Sequence, residues 1–144
     1  DRVDMVEAAI VGQPAFEISR VDIDRPGPHW AADTVALLAR EYPGAQLVYL
    51  MGGDSLRDLP TWGRPLEFLA RCSLGVLRRA EDAIDLAALE RALPGVSPKV
   101  EFVEAAQIPI ASHEVRKRVA AGAAIADLVP AGVAQIIRAR GLYR

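Results

Sequence analysis

Cysteine is almost missing: the chain of 144 residues has one, Cys72, so no internal disulfide can form. Set in the apolar run Cys72-Ser73-Leu74-Gly75-Val76-Leu77, that thiol reads as a buried structural side chain. Histidine is as scarce, with only His29 and His113, and two histidines with a lone cysteine offer none of the ligand spacings that zinc sites use. No protein-built metal site is expected. Nor does any apolar run approach the roughly 20 residues of a membrane span, and no charged-then-apolar leader opens the sequence, so the expectation is a soluble, cytoplasmic protein with no membrane partner. A cationic excess is lacking too: Lys+Arg 17 against Asp+Glu 19 gives a formal charge of −2, which argues against nucleic acid as the main partner. Neither a Gly-Lys-Ser/Thr phosphate loop nor a Gly-x-Ser-x-Gly elbow occurs, which removes P-loop hydrolysis and serine esterase chemistry.

What is present suits small-molecule chemistry. About half the residues are apolar (51%), enough for one sizeable core, and residues 1–144 are expected to form a single α/β domain. Lysine accounts for only two cations, Lys99 and Lys117, so positive charge is mostly guanidinium, suited to forked contacts with phosphate. Helical spacing over 3–12 stops at Gly12 and Pro14. Alternation of apolar and polar residues over 16–24 predicts a half-exposed strand, and Arg25-Pro26-Gly27-Pro28 a loop. A helix is predicted over 33–40. The continuous apolar run over 46–51 predicts a central strand buried on both faces. Further strands over 73–77 and 100–103, interleaved with helices over 65–71 and 86–93, imply a mostly parallel sheet. Two last helices are predicted over 112–121 and 131–140.

Ligands of open α/β sheets gather at the carboxyl ends of strands, which singles out Gly52-Gly53-Asp54-Ser55 and Ile110-Ala111-Ser112. At the first, the glycines permit close approach of backbone and Asp54 can accept from ribose hydroxyls, although Asp and Ser are also ordinary helix starters. Trp62, in the turn Leu59-Pro60-Thr61-Trp62-Gly63, can wall a planar ring or simply fill core. At the second, Ser112 is placed as the N-cap of a helix with Arg116 on the same face four residues on. A helix N-terminus plus a guanidinium suits phosphate, with capping and a solvated arginine as the plain alternative.

In order along the chain, these segments resemble the nicotinate-nucleotide adenylyltransferase family. Ile18 to Arg25 with Gly27-Pro28-His29-Trp30 and Asp33-Thr34 is similar to the family's Arg-x-Gly-Pro-Ser-Tyr-Thr-x-Asp-Thr segment. Leu50-Met51-Gly52-Gly53-Asp54-Ser55 followed by Leu59-Pro60-Thr61-Trp62 is similar to its Gly-x-Asp-Ser segment and tryptophan. Ile110 to Arg116 resembles the Ile-Ser-Ser-Thr-x-Ile-Arg signature of nucleotidyltransferases, and Leu128-Val129-Pro130 through Gly141-Leu142-Tyr143 the family's ending. The resemblance implies a Rossmann-like nucleotidyltransferase fold, its mostly parallel sheet flanked by helices. It also implies transfer of the adenylyl group of ATP to nicotinate mononucleotide in NAD biosynthesis, with Mg2+ entering alongside ATP. In that scheme Trp62 stacks on the pyridine ring, Gly52 and Asp54 line the ribose region, and backbone amides near Ala31 and Gly63 meet the nicotinate carboxylate. Ser112 and Arg116 hold ATP phosphates.

Departures from the pattern fall in that phosphate corner: Ala111 stands for a serine and His113 for a threonine, and Ala31 stands for a threonine in the ring pocket. Nothing in residues 1–144 matches the family's opening strand and Gly-Gly-x-Phe-Asp-Pro-x-His-x-Gly-His loop. The expectation is a C-terminal portion with that first strand missing, holding no catalytic residue of its own and inactive alone. Alternatives are a sister enzyme acting on pantetheine phosphate, which would share the Ser112–Arg116 corner without needing Trp62, a non-catalytic nucleotide-binding domain, and assembly from two polypeptides. A homo-oligomer is compatible with all of them.

Overall fold

The computed structural model describes residues 1–78, 84–106, 108 and 110–144. Contacts gather into two compact units, one of Asp1–Ser19 with Ile108–Arg144 and one of Arg20–Gln107, and each is taken by itself.

In the larger unit, α2 (Ala31–Glu41) leads to strand β1 (Val48–Gly52), helix α3 (Gly53–Asp58), a single 3-10 turn at Leu59–Thr61 and helix α4 (Pro65–Leu69). Strand β2 (Ser73–Leu77), helix α5 (Leu86–Ala92), a second 3-10 turn at Ser97–Lys99 and strand β3 (Val100–Val103) follow. The strands are all parallel in the order β1-β2-β3, with Val48 opposite Ser73 and Leu74 opposite Val100. Parallel neighbours need crossovers, and here the helices supply them. The core lies on one face of this sheet: Met51, Leu74 and Val76 pack with Val35, Leu56, Leu59, Phe68 and Leu89. Cys72 joins them as a buried free thiol, as the sequence led us to expect, and burial pushes its pKa up to about 11.

Two expectations change here. The run over 46–51 was taken as a central strand, but β1 lies at the edge of the described sheet and β2 at its centre. Along β1 the side chains alternate, Met51 buried and Leu50 64% exposed, so a continuous apolar run marks a strand without saying which of its faces is covered. The segment 16–24 is not a strand. It pairs with none of the three strands, and the Ile23 and Asp24 amides both donate to the Arg20 carbonyl, with the Arg20 guanidinium gripping the Asp24 carboxylate at 2.7 Å. Alternation alone cannot form a ladder, and a local turn with an ion pair four residues apart takes its place.

In the smaller unit, α1 (Arg2–Ile10), α6 (Ser112–Ala120) and α7 (Ala131–Ala139) surround a second core of Val115, Ile125, Val133, Ala134 and Ile137, with Met5 and Ala8 packed against it. Helices α1 and α7 come close where Gly132 faces Ala8: a β-carbon at 132 would lie 3.1 Å from that of Ala8. Arg140 fastens the same pair by bonding the carboxylates of Asp1, at 2.7 Å, and Asp4.

Candidate functional site

The carboxyl end of β1 runs straight into α3, whose N-cap is Gly52 rather than Asp54 or Ser55. Asp54 sits in the first helical turn, exposed, with its carboxylate accepting from the Ser55 amide at 2.9 Å. The Asp54 carboxylate also folds back over Gly52, where a β-carbon would lie only 2.6 Å from Oδ1. Glycine at 52 is therefore what lets this carboxylate lie against the strand end. Asp54 thus does not cap the helix, and its remaining acceptor capacity faces solvent.

Trp62 closes the turn after Leu59–Thr61 and is half-buried. Its ring meets those of Tyr49 (5.9 Å, edge-on) and Phe68 (5.6 Å, tilted), while Tyr49 and Phe68 meet edge-to-face at 5.0 Å. Such edge contacts fix a ring's plane as well as burying it. Trp62 is therefore only partly core: one part is held by two aromatics, and the rest stays open. Burial, helped by the Asp22 charge, raises the Tyr49 phenol above its ordinary value.

Beside Trp62, the turn 62–64 lies against the start of α2. The Trp30 ring covers Gly63 so closely that a β-carbon there would be 2.8 Å from Cδ2. Ala31, the first residue of α2, packs on the core as Trp62 does. As the first helical residue, Ala31 has an N–H without an intrahelical acceptor. Among the described residues neither that N–H nor that of Gly63 has an acceptor. The structure thus brings together Ala31, Trp62 and Gly63, three of the residues singled out from the sequence.

A polar network that sequence reasoning left without a role holds this corner in place. Arg25, its side chain only 15% exposed, bonds the Asp22 carboxylate (2.6 Å), the Pro28 carbonyl (2.8 Å) and the Trp30 carbonyl (3.3 Å), and lies 3.8 Å from Asp33. The Thr34 hydroxyl donates to Asp22 at 2.6 Å. That bond, ahead of the Arg25 pair and against the opposing effect of burial, holds the Asp22 carboxyl below the usual carboxylate range. Arg64 completes the set by pairing with Asp33 and stacking over Trp30 at 4.7 Å. Arg25 and Thr34 were legible as parts of a motif. Arg64 was not, and its one signal is that it precedes Pro65, a position that disfavours the right-handed helical conformation.

Ser112 and Arg116 lie in the smaller unit, on one face of α6. Ala111, not Ser112, is the N-cap, and no side chain caps the helix. Ser112 is the first helical residue because the backbone of Ala111 is the last in an extended conformation (φ −116°, ψ 145°), so the hydroxyl stands one position inside the expected one. Ser112, His113 and Arg116 are all exposed. Arg118, by contrast, is tied to Glu114 (3.4 Å) and Asp127 (3.0 Å), which leaves Arg116 as the cation on that face with no ion pair among the described residues. Two cavities lie apart from all these residues, one of about 420 Å³ beside Ile125 and Ile137 and one of about 220 Å³ beside Pro60 and Leu89.

No family model matches the chain. Individual relatives do. A protein of Thermomicrobium roseum named a probable nicotinate-nucleotide adenylyltransferase is 43% identical over 143 residues, covering 99% of this chain and 67% of the relative. One of the same name from Gloeobacter violaceus is 40% identical over 149 residues, covering 99% and 70%. Among solved structures, the Plasmodium falciparum nicotinic acid mononucleotide adenylyltransferase complexed with NaAD superposes with a TM-score of 0.70 at 16% identity, over 99% of this chain and 72% of that one. The same enzyme complexed with APC gives 0.69 at 17%, over 99% and 74%. At such low identity these two speak for the fold, an α/β nucleotidyltransferase fold with a parallel sheet. With the fold, the Gly52–Asp54 strand end and the Trp62 turn found together, and relatives of this identity along nearly its whole length, the chain belongs to the nicotinate-nucleotide adenylyltransferase family.

Proposed function

We propose that the protein joins nicotinate mononucleotide to the adenylyl group of ATP, giving nicotinate adenine dinucleotide and pyrophosphate. The observation that carries this is the corner where Trp62 is held edge-on by Tyr49 and at a tilt by Phe68, while the Trp30 ring, next to Ala31 in the chain, covers Gly63 and the amides of Ala31 and Gly63 have no acceptor among the described residues. A pyridine ring stacks on the open part of Trp62, and its carboxylate accepts from the two amides. A carboxamide offers one oxygen and an NH2 group where the carboxylate offers two acceptors, so paired donors favour the acid. Asp54 accepts from a ribose hydroxyl, with Gly52 allowing the close approach. Ser112 and Arg116 meet ATP phosphates at the start of α6, where the helix dipole and a forked cation add.

In the reaction a phosphate oxygen of the mononucleotide forms a bond to the α-phosphorus of ATP as the bond to the β-phosphate oxygen breaks. No covalent enzyme intermediate is involved, so the chain's residues position and neutralise. Among the described residues no three His, Cys, Asp or Glu side chains gather as a metal-ligand set. In this reading Mg2+ enters on the ATP phosphates, its commoner mode with nucleotides. The cytoplasm is the compartment that fits this activity, and no helix of the described residues is long and apolar enough to cross a membrane.

Titration with nicotinate mononucleotide, followed by tryptophan fluorescence, tests the pocket. Quenching that saturates in the wild type and is lost in Trp62→Leu is expected, and quenching unchanged in that variant places the ring elsewhere. A non-catalytic nucleotide-binding role would give the same titration with no pyrophosphate release from ATP.

A further inference from the structure

Arg64 belongs to the network that holds the ring corner in place, and three observations give it a more specific role. Its backbone is left-handed (φ 56°, ψ 54°), a conformation that L side chains with a β-carbon rarely adopt. Its guanidinium lies 4.7 Å over the Trp30 ring, the same ring that covers Gly63. The same guanidinium pairs with Asp33 in the first turn of α2 and reaches Glu67 in the first turn of α4 at 3.4 Å. One side chain therefore touches the residue before Ala31, the residue two after it, and the helix that follows Gly63. If a glycine stood at 64 the turn would form with less strain, so what the arginine adds at this position is what its side chain reaches.

We propose that Arg64 is a positioning residue that sets acid-over-amide selectivity. By stacking on Trp30 and pairing with Asp33 it locks the start of α2 against the 62–64 turn and so fixes the spacing of the Ala31 and Gly63 amides. The guanidinium is no direct partner for the ligand carboxylate, because Asp33 and Glu67 already neutralise it. Two amide donors at a fixed spacing match the two oxygens of a carboxylate. Donors free to drift apart lose that match and treat acid and amide more alike. The inference rests on the pocket reading given above, with Trp62 stacking and the two amides as donors.

The test compares wild type with Arg64→Gly and Arg64→Ala in the whole protein encoded by the gene. The glycine variant keeps the left-handed turn available and removes only the side chain, which separates the clamp from the backbone. Two quantities are read: the ratio of Kd for nicotinamide and nicotinate mononucleotides by calorimetry, and hydrogen exchange of the amides in 31–34 and 62–64 without ligand. Both variants are expected to lower the Kd ratio at least tenfold, chiefly by weakening the acid, and to speed exchange in both segments while ATP affinity stays unchanged. A glycine variant with wild-type ratio and wild-type exchange overturns the proposal. Accelerated exchange with an unaltered ratio overturns the selectivity role. A wild type that binds neither mononucleotide sinks the pocket reading, and the selectivity role with it, and is told apart from failure of the clamp because exchange is read without ligand.

Discussion

At the scale of single residues, the structure separates side chains that shape a site from side chains that hold the fold. Ser112 caps nothing, so Ser112→Ala is expected to change stability by less than about 0.5 kcal/mol, the ordinary range for an exposed substitution. If the hydroxyl meets ATP phosphate, KM for ATP rises severalfold in the same variant. A stability loss near 1 kcal/mol with unchanged KM would make it a structural residue after all. Asp22 carries a pH signature. Its folded pKa is depressed, first by the Thr34 hydroxyl and then by Arg25, so its contribution is present above the unfolded carboxylate value of about 4 and is lost as pH falls through the lower folded value. Thr34→Val should therefore raise the Asp22 carboxyl pKa read by NMR, and its stability deficit relative to wild type should be present at neutral pH and vanish in acid. A deficit that stays constant down to the lowest pH would assign the loss to packing alone. Cys72, buried and pushed up to about 11, should be silent toward thiol reagents at pH 8 until the protein unfolds, because the thiolate is the reactive form.

At the scale of elements, periodicity and punctuation located nearly every helix and strand to within a few residues. Pro65 stands at the first position of α4, and Asp85 caps α5, its Oδ1 accepting from the Ala88 amide at 2.9 Å. Asp85→Ala is accordingly expected to cost about 1 kcal/mol, read as a lowered urea midpoint at unchanged slope. An unchanged midpoint would mean that α5 is held by Leu89 and its packing alone. Two features were illegible in the sequence because they depend on partners rather than on pattern. Whether 16–24 joins a ladder depends on a neighbouring strand, and whether β1 is central or at an edge depends on sheet order. The alternating residues Phe16 to Asp24 and the apolar run Gln46 to Met51 carry neither fact. The site divided in the same way. Trp62, Gly52 and Asp54 could be found from a turn and a strand end, whereas the Asp22, Arg25, Asp33 and Arg64 network joins segments up to 31 positions apart, a distance over which no local spacing speaks.

At the scale of the whole molecule, contacts gather into two compact units: Arg20–Gln107 holds the candidate ring and ribose residues, and the unit that includes Ile108–Arg144 holds the candidate phosphate residues on α6. The chain spans about two thirds of the length of the relatives it matches (67% and 70%). In the proposed reading the described residues position a mononucleotide and meet phosphates, and none is assigned the role of acid, base or nucleophile. That is the division of labour expected where the two substrates react directly and the protein orients them. The most direct measurement is steady-state turnover of the whole gene-encoded protein with ATP and Mg2+, offering nicotinate or nicotinamide mononucleotide and reading both pyrophosphate and the dinucleotide mass. Equal amounts of pyrophosphate and nicotinate adenine dinucleotide are expected, with a higher kcat/KM for the acid and at least a tenfold loss in Trp62→Leu. A well-folded protein that binds ATP yet forms no dinucleotide from either mononucleotide would contradict the account.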